Sequence, residues 1–188
     1  SDNRTVTRLK KKESSYAWAY VISVLPNDDK HILIESTPMS SDGARISTVY
    51  KLNVYNGRLS NDKVVAPISY SSFITDREGN VRFASGIDKS DILKTFRRGD
   101  DEWIEITNDA GEDFEPLALN YSGDALFYLD REDGDKQGLF TLDLTTGERK
   151  TIYVDENVDI SGVAYNADRS SVYALALNDG YPTYVMFN

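Results

Sequence analysis

The sequence predicts an all-β fold, namely a partial β-propeller of about four antiparallel four-stranded blades. Short apolar runs alternate with turn residues along the whole chain. Tyr, Val, Ile and Thr, which favour a pleated and half-buried surface, are frequent in these runs. The same order of strands and turns recurs at a period of about 40–50 residues, which is the period of propeller blades. No stretch has the periodicity of an amphipathic helix.

The clearest unit spans residues 114–154 and contains four apolar runs with a turn or loop between each. Side chains of an extended chain alternate between two faces. In this unit one face carries Leu126, Tyr128 and Asp130, and the other carries Phe127 and Leu129. Both faces are mostly apolar, and a single small sheet cannot bury both of them. The unit therefore requires neighbouring sheets of the same kind.

Four turns occupy equivalent places in four such units, at residues 25–30, 75–80, 119–124 and 165–170. Each precedes a β run with an apolar centre, which reads ILIE, VRFA, ALFYL or SVYAL. Equivalent turn residues, taken as Gly79, Gly123 and Asp168, recur about every 45 residues. A two-sheet sandwich has strands as closely spaced, but it would not repeat its turn chemistry at this longer period.

These boundaries predict a single partial propeller domain over residues 1–188. The predicted blades are residues 16–66, 68–107, 114–154 and 159–188, and the last of them has only three strands. Residues 3–12 (NRTVTRLKKK) are predicted to form one further strand. This strand either belongs to another blade of a larger ring or completes the fourth blade and closes a small ring. The first alternative is favoured, because an open propeller exposes faces that further blades would cover.

Composition excludes several classes of function. The formal net charge is −10, whereas sequence-independent nucleic-acid binding requires clustered Lys and Arg. The basic clusters are residues 8–12, interpreted as a solvated strand edge, and residues 97–98, predicted to lie in a turn. The absence of cysteine excludes disulfides and thiolate chemistry. No apolar run approaches the roughly 20 residues that span a bilayer.

Residue types that could support catalysis are present but are interpreted as structural. His31, the sole histidine, opens an apolar strand and has no Gly-x-Ser-x-Gly partner motif. The carboxylate groups at 28–29, 100–102 and 155–156 fall where Asp is a good turn former. The acidic loop at 130–135 lacks the residue order of a calcium loop. We therefore predict no catalytic, cofactor-binding or metal-binding residues, and no cofactor.

Four aromatic residues could instead line a binding face. Such residues more often pack between blades, so a core position is the preferred interpretation for each. They are Trp18, Tyr20, Trp103 and Tyr181.

The strand pairs resemble those of a known family. VYKLNV (residues 49–54) followed by Asn56-Gly57, and LFTLDL (139–144) followed by Thr-Thr-Gly, are similar to the Tyr-x-Leu-Asp-x-x-Thr-Gly element of prolyl oligopeptidase family propellers. The order of DREGNVR (76–82), FEPL (114–117) and DGYPTY (179–184) resembles the C-terminal half of such propellers in the dipeptidyl and acylaminoacyl peptidase branch. The first element is also common in TolB-like propellers.

This resemblance implies a non-catalytic module that caps and gates the α/β-hydrolase domain of a serine peptidase. Its partners would be that hydrolase domain and the peptide substrates of the parent protein, and we expect self-association through open blade edges. The resemblance leaves the compartment open between bacterial periplasm and cytoplasm and slightly favours the periplasm. The alternative is a stand-alone TolB-like or WD-type propeller that acts as a protein- or peptide-binding scaffold. A propeller glycosidase, which needs two facing carboxylates, is a third hypothesis.

Overall fold

A computed structural model describes residues 16–39, 45–100, 102–106, 113–132, 134–167 and 169–187. These residues form fifteen β-strands in four antiparallel sheets, and the described part of the chain contains no helix. The predicted all-β fold with four-stranded units is confirmed. The predicted strand at residues 3–12 lies outside the described residues, and the assignment of the chain to one domain stays a prediction.

Each sheet is an up-and-down meander in which consecutive strands pair. Sheet 1 contains β1 (Ala17–Ser23), β2 (His31–Pro38), β3 (Thr48–Asn53) and β4 (Leu59–Val65). Sheet 2 contains β5 (Ser72–Thr75), β6 (Val81–Ile87), β7 (Leu93–Arg98) and β8 (Trp103–Glu105). Sheet 3 contains β9 (Glu115–Leu119), β10 (Ala125–Asp130), β11 (Gly138–Asp143) and β12 (Arg149–Tyr153). Sheet 4 has three strands, β13 (Ile160–Tyr165), β14 (Val172–Asn178) and β15 (Pro182–Met186).

The first two strands of every sheet pair with an irregular register, which the sequence did not reveal. In sheet 2 the irregularity leaves Arg82 as an extra residue between Val81 and Phe83. Val81 consequently packs into the core shared with sheet 1, while Phe83 packs into the core shared with sheet 3. Such bulges increase the local twist of a sheet and redirect side chains.

Sheet 3 buries both of its faces. Leu126 and Tyr128 pack with Phe83 of sheet 2, and Leu129 packs with Leu175 of sheet 4. Ring centroids of Phe114 and Tyr128 lie 4.7 Å apart. The alternation predicted for β10 is confirmed, since neighbouring residues of this strand contact different sheets.

The two outermost faces are uncovered among the described residues. On sheet 1, Leu33 packs against sheet 2, so the opposite face carries Val21, Ile34 and Tyr50, which are aligned across three strands. On sheet 4, the face away from sheet 3 carries Tyr184, which lies opposite Ala176 on the neighbouring strand. Val21 is 57% exposed and Tyr184 is 66% exposed.

The turns between the third and fourth strands of sheets 1 and 3 are equivalent. Gly57 N–H donates to the Asn53 carbonyl and Gly147 N–H donates to the Asp143 carbonyl, each at 2.9 Å. The side chain of Asp143 accepts two further backbone N–H groups, as does that of Asn53. Asn56 and Gly57 lie in this turn, and the loop is longer than two residues because the polar residue at the end of the strand organises the turn.

Candidate functional site

The candidate site is a cavity of about 450 Å³ at the end of the inner strands, which we call the axial cavity. The first strands of the sheets lie innermost, and β5 and β9 contact each other directly. Sheets 1, 2 and 3 contribute the apolar side chains that line the cavity, and sheet 4 contributes Ala167, Arg169 and Ser170 from the turn before β14. Representative apolar lining residues are Ile22, Val24, Phe73, Ile74, Leu117 and Leu119.

Three equivalent turns form part of the cavity rim. Each begins with Asp or Asn, namely Asp76, Asn120 or Asn166. The carbonyl of this residue accepts the N–H of the residue three positions later, at 3.0–3.1 Å. The side-chain oxygen of the same residue accepts a further backbone N–H. The sequence alignment of these turns is confirmed, since a short polar side chain can cap its own turn.

The third turn differs from the other two in the residue that occupies the left-handed position. Gly79 and Gly123 adopt the left-handed conformation with φ of 89° and 74°, and Arg169 adopts it at the equivalent place with φ of 59°. The sequence alignment had put Asp168 at this place, and that assignment is wrong. Asp168 itself lies outside the described residues. A non-glycine residue in this region is strained, which makes Arg169 an unusual member of the rim.

Cationic groups at the rim are stacked on tyrosine rings. The Arg77 guanidinium lies 4.1 Å from the Tyr121 ring centroid, and that of Arg169 lies 4.7 Å from the Tyr165 centroid. Burial raises the pKa of the Tyr165 hydroxyl above its ordinary value, and the nearby Arg169 partly offsets that rise. Sequence reasoning missed both arginines, because no local pattern indicates which turns face a common axis.

The carboxylate at the rim has its own partners. Asp76 is buried and accepts hydrogen bonds from the backbone and side-chain nitrogens of Asn80 at 2.8–3.2 Å. Arg82 lies 3.5 Å from its second oxygen. Asp76 therefore holds its turn together, and its charge is partly balanced within sheet 2.

A second and larger groove of about 890 Å³ lies between sheets 1 and 2. Charged residues of both signs line it, among them Lys63, Arg82, Asp62 and Glu78. The groove has no continuous apolar lining and no excess of one charge. The axial cavity is therefore the better candidate, because ligand sites are mostly apolar with a few placed polar groups.

His31 belongs to a structural network on sheet 1. Its Nδ1 lies 2.9 Å from both carboxylate oxygens of Asp28, whose second oxygen also contacts the Lys51 ammonium at 2.9 Å. Asn53 donates to His31 Nε2 at 3.3 Å, since the Asn53 oxygen is already occupied by backbone N–H groups. Both ring nitrogens are engaged, so the interpretation of His31 as a strand-end residue is supported.

Lys51 and His31, in that order, lower the pKa of Asp28 well below its ordinary range. Asp155 is likewise a turn residue, because it accepts the N–H groups of Asn157 and Val158. Neither carboxylate is poised for proton transfer.

The acidic loop after β10 connects two strands of sheet 3. Asp130 is buried and accepts the N–H groups of Arg131 and Glu132, and Asp133 lies outside the described residues. Arg131 donates in bidentate fashion to Asp159 at the start of sheet 4, with both distances 3.1 Å. The loop is a connection between strands, as predicted, and its arginine also bridges sheets 3 and 4.

The four aromatic residues divide into two groups. Trp103 packs into the core between sheets 1 and 2, and its Nε1 donates to the Val65 carbonyl at 2.9 Å. Trp18, Tyr20 and Tyr181 are 41%, 64% and 82% exposed, so the core position predicted for them is wrong. Trp18 and Tyr20 lie on β1, where the Arg45 guanidinium lies over the Trp18 ring, and Tyr181 directly precedes β15.

The predicted turn at residues 97–98 is also wrong. Arg97 and Arg98 end β7, and the Arg98 guanidinium lies 5.1 Å from the Trp103 ring centroid. The basic cluster at residues 8–12 lies outside the described residues.

Four antiparallel meanders that pack face to face around the axial cavity define a partial β-propeller. No helix in the described part of the chain has the length and apolar character required to cross a membrane.

Comparison with solved structures supports the fold. The chain is similar to the crystal structure of TolB from Acinetobacter baumannii, with a TM-score of 0.52 and 12% sequence identity. The match covers 82% of this chain and 40% of that TolB chain, so this chain spans well under half of its length. At this identity the likeness establishes the propeller fold alone. No family model and no curated protein matches the sequence.

Proposed function

We propose that this chain is a non-catalytic propeller scaffold that binds a peptide or an extended protein segment in the axial cavity. The observation that carries the proposal is a cavity with apolar side chains from three sheets and a polar turn from the fourth. Its volume of about 450 Å³ lies within the range of about 300–1,000 Å³ found for ligand sites.

The lining favours an apolar ligand over a polar one. Leu119 is 5% exposed and forms part of the core between sheets 2 and 3, so one wall of the cavity is firmly packed. Val24 is 71% exposed at the mouth, where an incoming side chain would cover it. Burial of apolar surface gives about 25 cal/mol per Å², and several partly exposed lining residues therefore supply a driving force for binding.

The chemistry of the site also favours binding over catalysis. The sole histidine lies in the Asp28 network, and the lining of the axial cavity contains no histidine. The polar side chains of the lining that the structure describes are turn-capping residues, arginines and the hydroxyls of Ser23, Thr75 and Ser170, and no histidine accompanies these hydroxyls to activate them.

Isothermal titration calorimetry of the 188-residue chain with N-acetyl-trileucine tests the proposal. We expect binding at millimolar or tighter affinity. Val24→Ser, which removes an exposed apolar group from the cavity mouth, should weaken it. Val54→Ser is the matched control, since Val54 is 50% exposed on a turn that does not line the cavity. Absence of binding, or equal weakening by both variants, contradicts the proposed function.

A more specific hypothesis is that the scaffold caps the hydrolase domain of a serine peptidase. It rests on the resemblance of VYKLNV, LFTLDL and DGYPTY to prolyl oligopeptidase family propellers. Two experiments test it. The 188-residue chain should not hydrolyse aminoacyl-nitroanilides, and the encoding gene should contain a Gly-x-Ser-x-Gly motif within about 250 residues after Asn188. A stop codon directly after Asn188 would support the stand-alone scaffold instead.

A further inference from the structure

We propose that the axial cavity selects ligands that carry a carboxylate beside an apolar group, and that Arg169 binds the carboxylate. This inference rests on the proposed function of the cavity. It concerns the chemistry of the ligand, which the apolar lining alone does not define.

The backbone of Arg169 provides the first argument. Its φ of 59° is left-handed, and glycines occupy the equivalent places in the turns of sheets 2 and 3. A left-handed conformation costs a residue with a Cβ about 1–2 kcal/mol, a cost that glycine avoids. Strained residues of this kind cluster at functional sites. Leu25, Tyr70, Asp91 and Glu132 are also left-handed, but of these five residues only Arg169 lines the axial cavity. A strained arginine at the cavity, where glycine serves the equivalent turns, therefore points to a function of its side chain.

The charges around the cavity provide the second argument. Among the described residues, the charged side chains in its lining are Asp76, Arg77 and Arg169, and Arg82 partly balances Asp76. Two guanidinium groups therefore lie at the rim, although the chain as a whole carries −10. Cations at the mouth of an apolar cavity attract anions and orient them.

The geometry of the side chain provides the third argument. The Arg169 guanidinium lies over the Tyr165 ring, 4.7 Å from its centroid. A guanidinium has five N–H donors in one plane, and stacking on a ring leaves the edge of that plane for a ligand. Stacking also reduces the rotational freedom that the side chain would lose on binding.

The cavity and the arginine together define the ligand class. An apolar side chain fits the lining of Ile22, Phe73 and Leu117, while a carboxylate at one end reaches the rim. A peptide supplies this combination either through its C-terminal carboxylate or through Asp or Glu beside an apolar residue. Arginine binds planar carboxylates in bidentate geometry, which adds specificity to charge attraction.

Three probes of similar size separate the two sources of carboxylate. They are N-acetyl-trileucine as the free acid, the same peptide as its C-terminal amide, and N-acetyl-Leu-Asp-Leu amide. We expect at least one carboxylate-bearing probe to bind about tenfold more tightly than trileucine amide, which is the effect of one charge-assisted hydrogen bond. Of the two probes that carry a carboxylate, the one that binds more tightly identifies the source of the carboxylate.

The Arg169→Gly variant should abolish this tenfold difference. Because glycine tolerates the left-handed turn, the variant should also unfold at an equal or higher urea concentration than the original chain. Arg169→Asn, whose side chain is uncharged and also tolerated in this region, gives the same test in a second background. Lys150→Ala is the control, since Lys150 is 67% exposed on β12 and is not part of the cavity.

The outcomes separate this inference from the proposed function. Equal affinity of all three probes overturns the inference and leaves the apolar binding site in place. An unchanged tenfold preference in Arg169→Gly assigns the carboxylate to another group and also overturns it. If none of the probes binds, the proposed function fails and the inference fails with it.

Discussion

Sheets 1 and 3 have the same four-stranded topology and the same turn between their last two strands, yet they differ in burial. Sheet 3 lies between two neighbours, and its Leu126, Tyr128 and Leu139 are fully buried. Sheet 1 has a neighbour on one side, and its opposite face leaves Val21 57% exposed. The difference shows that burial in this fold is a property of the stack of sheets, because each sheet alone has two apolar faces.

The largest effect that we expect concerns association. The uncovered faces of sheets 1 and 4 should pair with a second copy, since exposed apolar faces and strand edges favour self-association. Val21→Lys, which places a charge on the uncovered face of sheet 1, should shift the mass measured by light scattering towards the monomer. Val54→Lys is the control, because Val54 lies on an exposed turn outside this face. A monomeric original chain, with rapidly exchanging amides in β15, would contradict the expectation.

The next effect compares two leucines. Leu126→Ala should lower the free energy of unfolding by about 2–5 kcal/mol, because it leaves a cavity in the core between sheets 2 and 3. Leu59→Ala on sheet 1 should lower it by less than about 1 kcal/mol, since Leu59 is 48% exposed. Urea unfolding of both variants measures the difference. Equal effects would mean that the two sheets contribute alike to stability.

A smaller effect distinguishes two left-handed glycines. Gly79→Ala places a Cβ 2.7 Å from Leu25 Cδ2 of sheet 1, whereas Gly57→Ala meets no atom within 4 Å. Both variants carry the conformational cost of about 1–2 kcal/mol. We expect Gly79→Ala to cost about 1 kcal/mol more, because Leu25 has to move. Thermal unfolding of both variants measures the two costs. A cost at Gly79 no larger than that at Gly57 would show that the Leu25 side chain moves aside without a measurable loss of stability.

The smallest effect concerns pH. Lys51 and His31 lower the pKa of Asp28. The ionised carboxylate therefore stabilises the fold at every pH above about 4, the ordinary pKa of Asp. This stabilisation is lost as the pH falls through the lowered pKa of the folded state. Asp28→Asn should therefore be less stable than the original chain at pH 7, and the difference should shrink below about pH 4. A difference that stays constant down to about pH 2 would contradict this assignment.

Much of the fold could be predicted from the sequence because its signals are local. The alternation of Leu126, Phe127 and Tyr128 assigns side chains to opposite faces without knowledge of the neighbouring sheet. The Asp and Asn residues that begin the rim turns bond to their own backbone, so their effect is also local. These signals were sufficient to identify repeated four-stranded units.

The site could not be predicted in the same way. Trp18 and Trp103 both lie in strands, but only Trp103 reaches the core between sheets 1 and 2, whereas Trp18 is 41% exposed with the Arg45 guanidinium over its ring. The pairing irregularity near Arg82 decides which core receives Val81 and which receives Phe83, and it has no clear sequence signal. Arg169 reads as an ordinary turn residue until its turn is placed beside those of Gly79 and Gly123.

The sequence by itself determined the class of fold, the order of the strands and the chemistry of the turns. Each of these depends on residues that are close along the chain and interact through the backbone or through strand periodicity. Only the tertiary structure decided that the inner strands of three sheets and a turn of the fourth enclose one apolar cavity with Arg77 and Arg169 at its rim. That arrangement depends on the twist and stacking of successive sheets, which bring together residues about 45 or more positions apart.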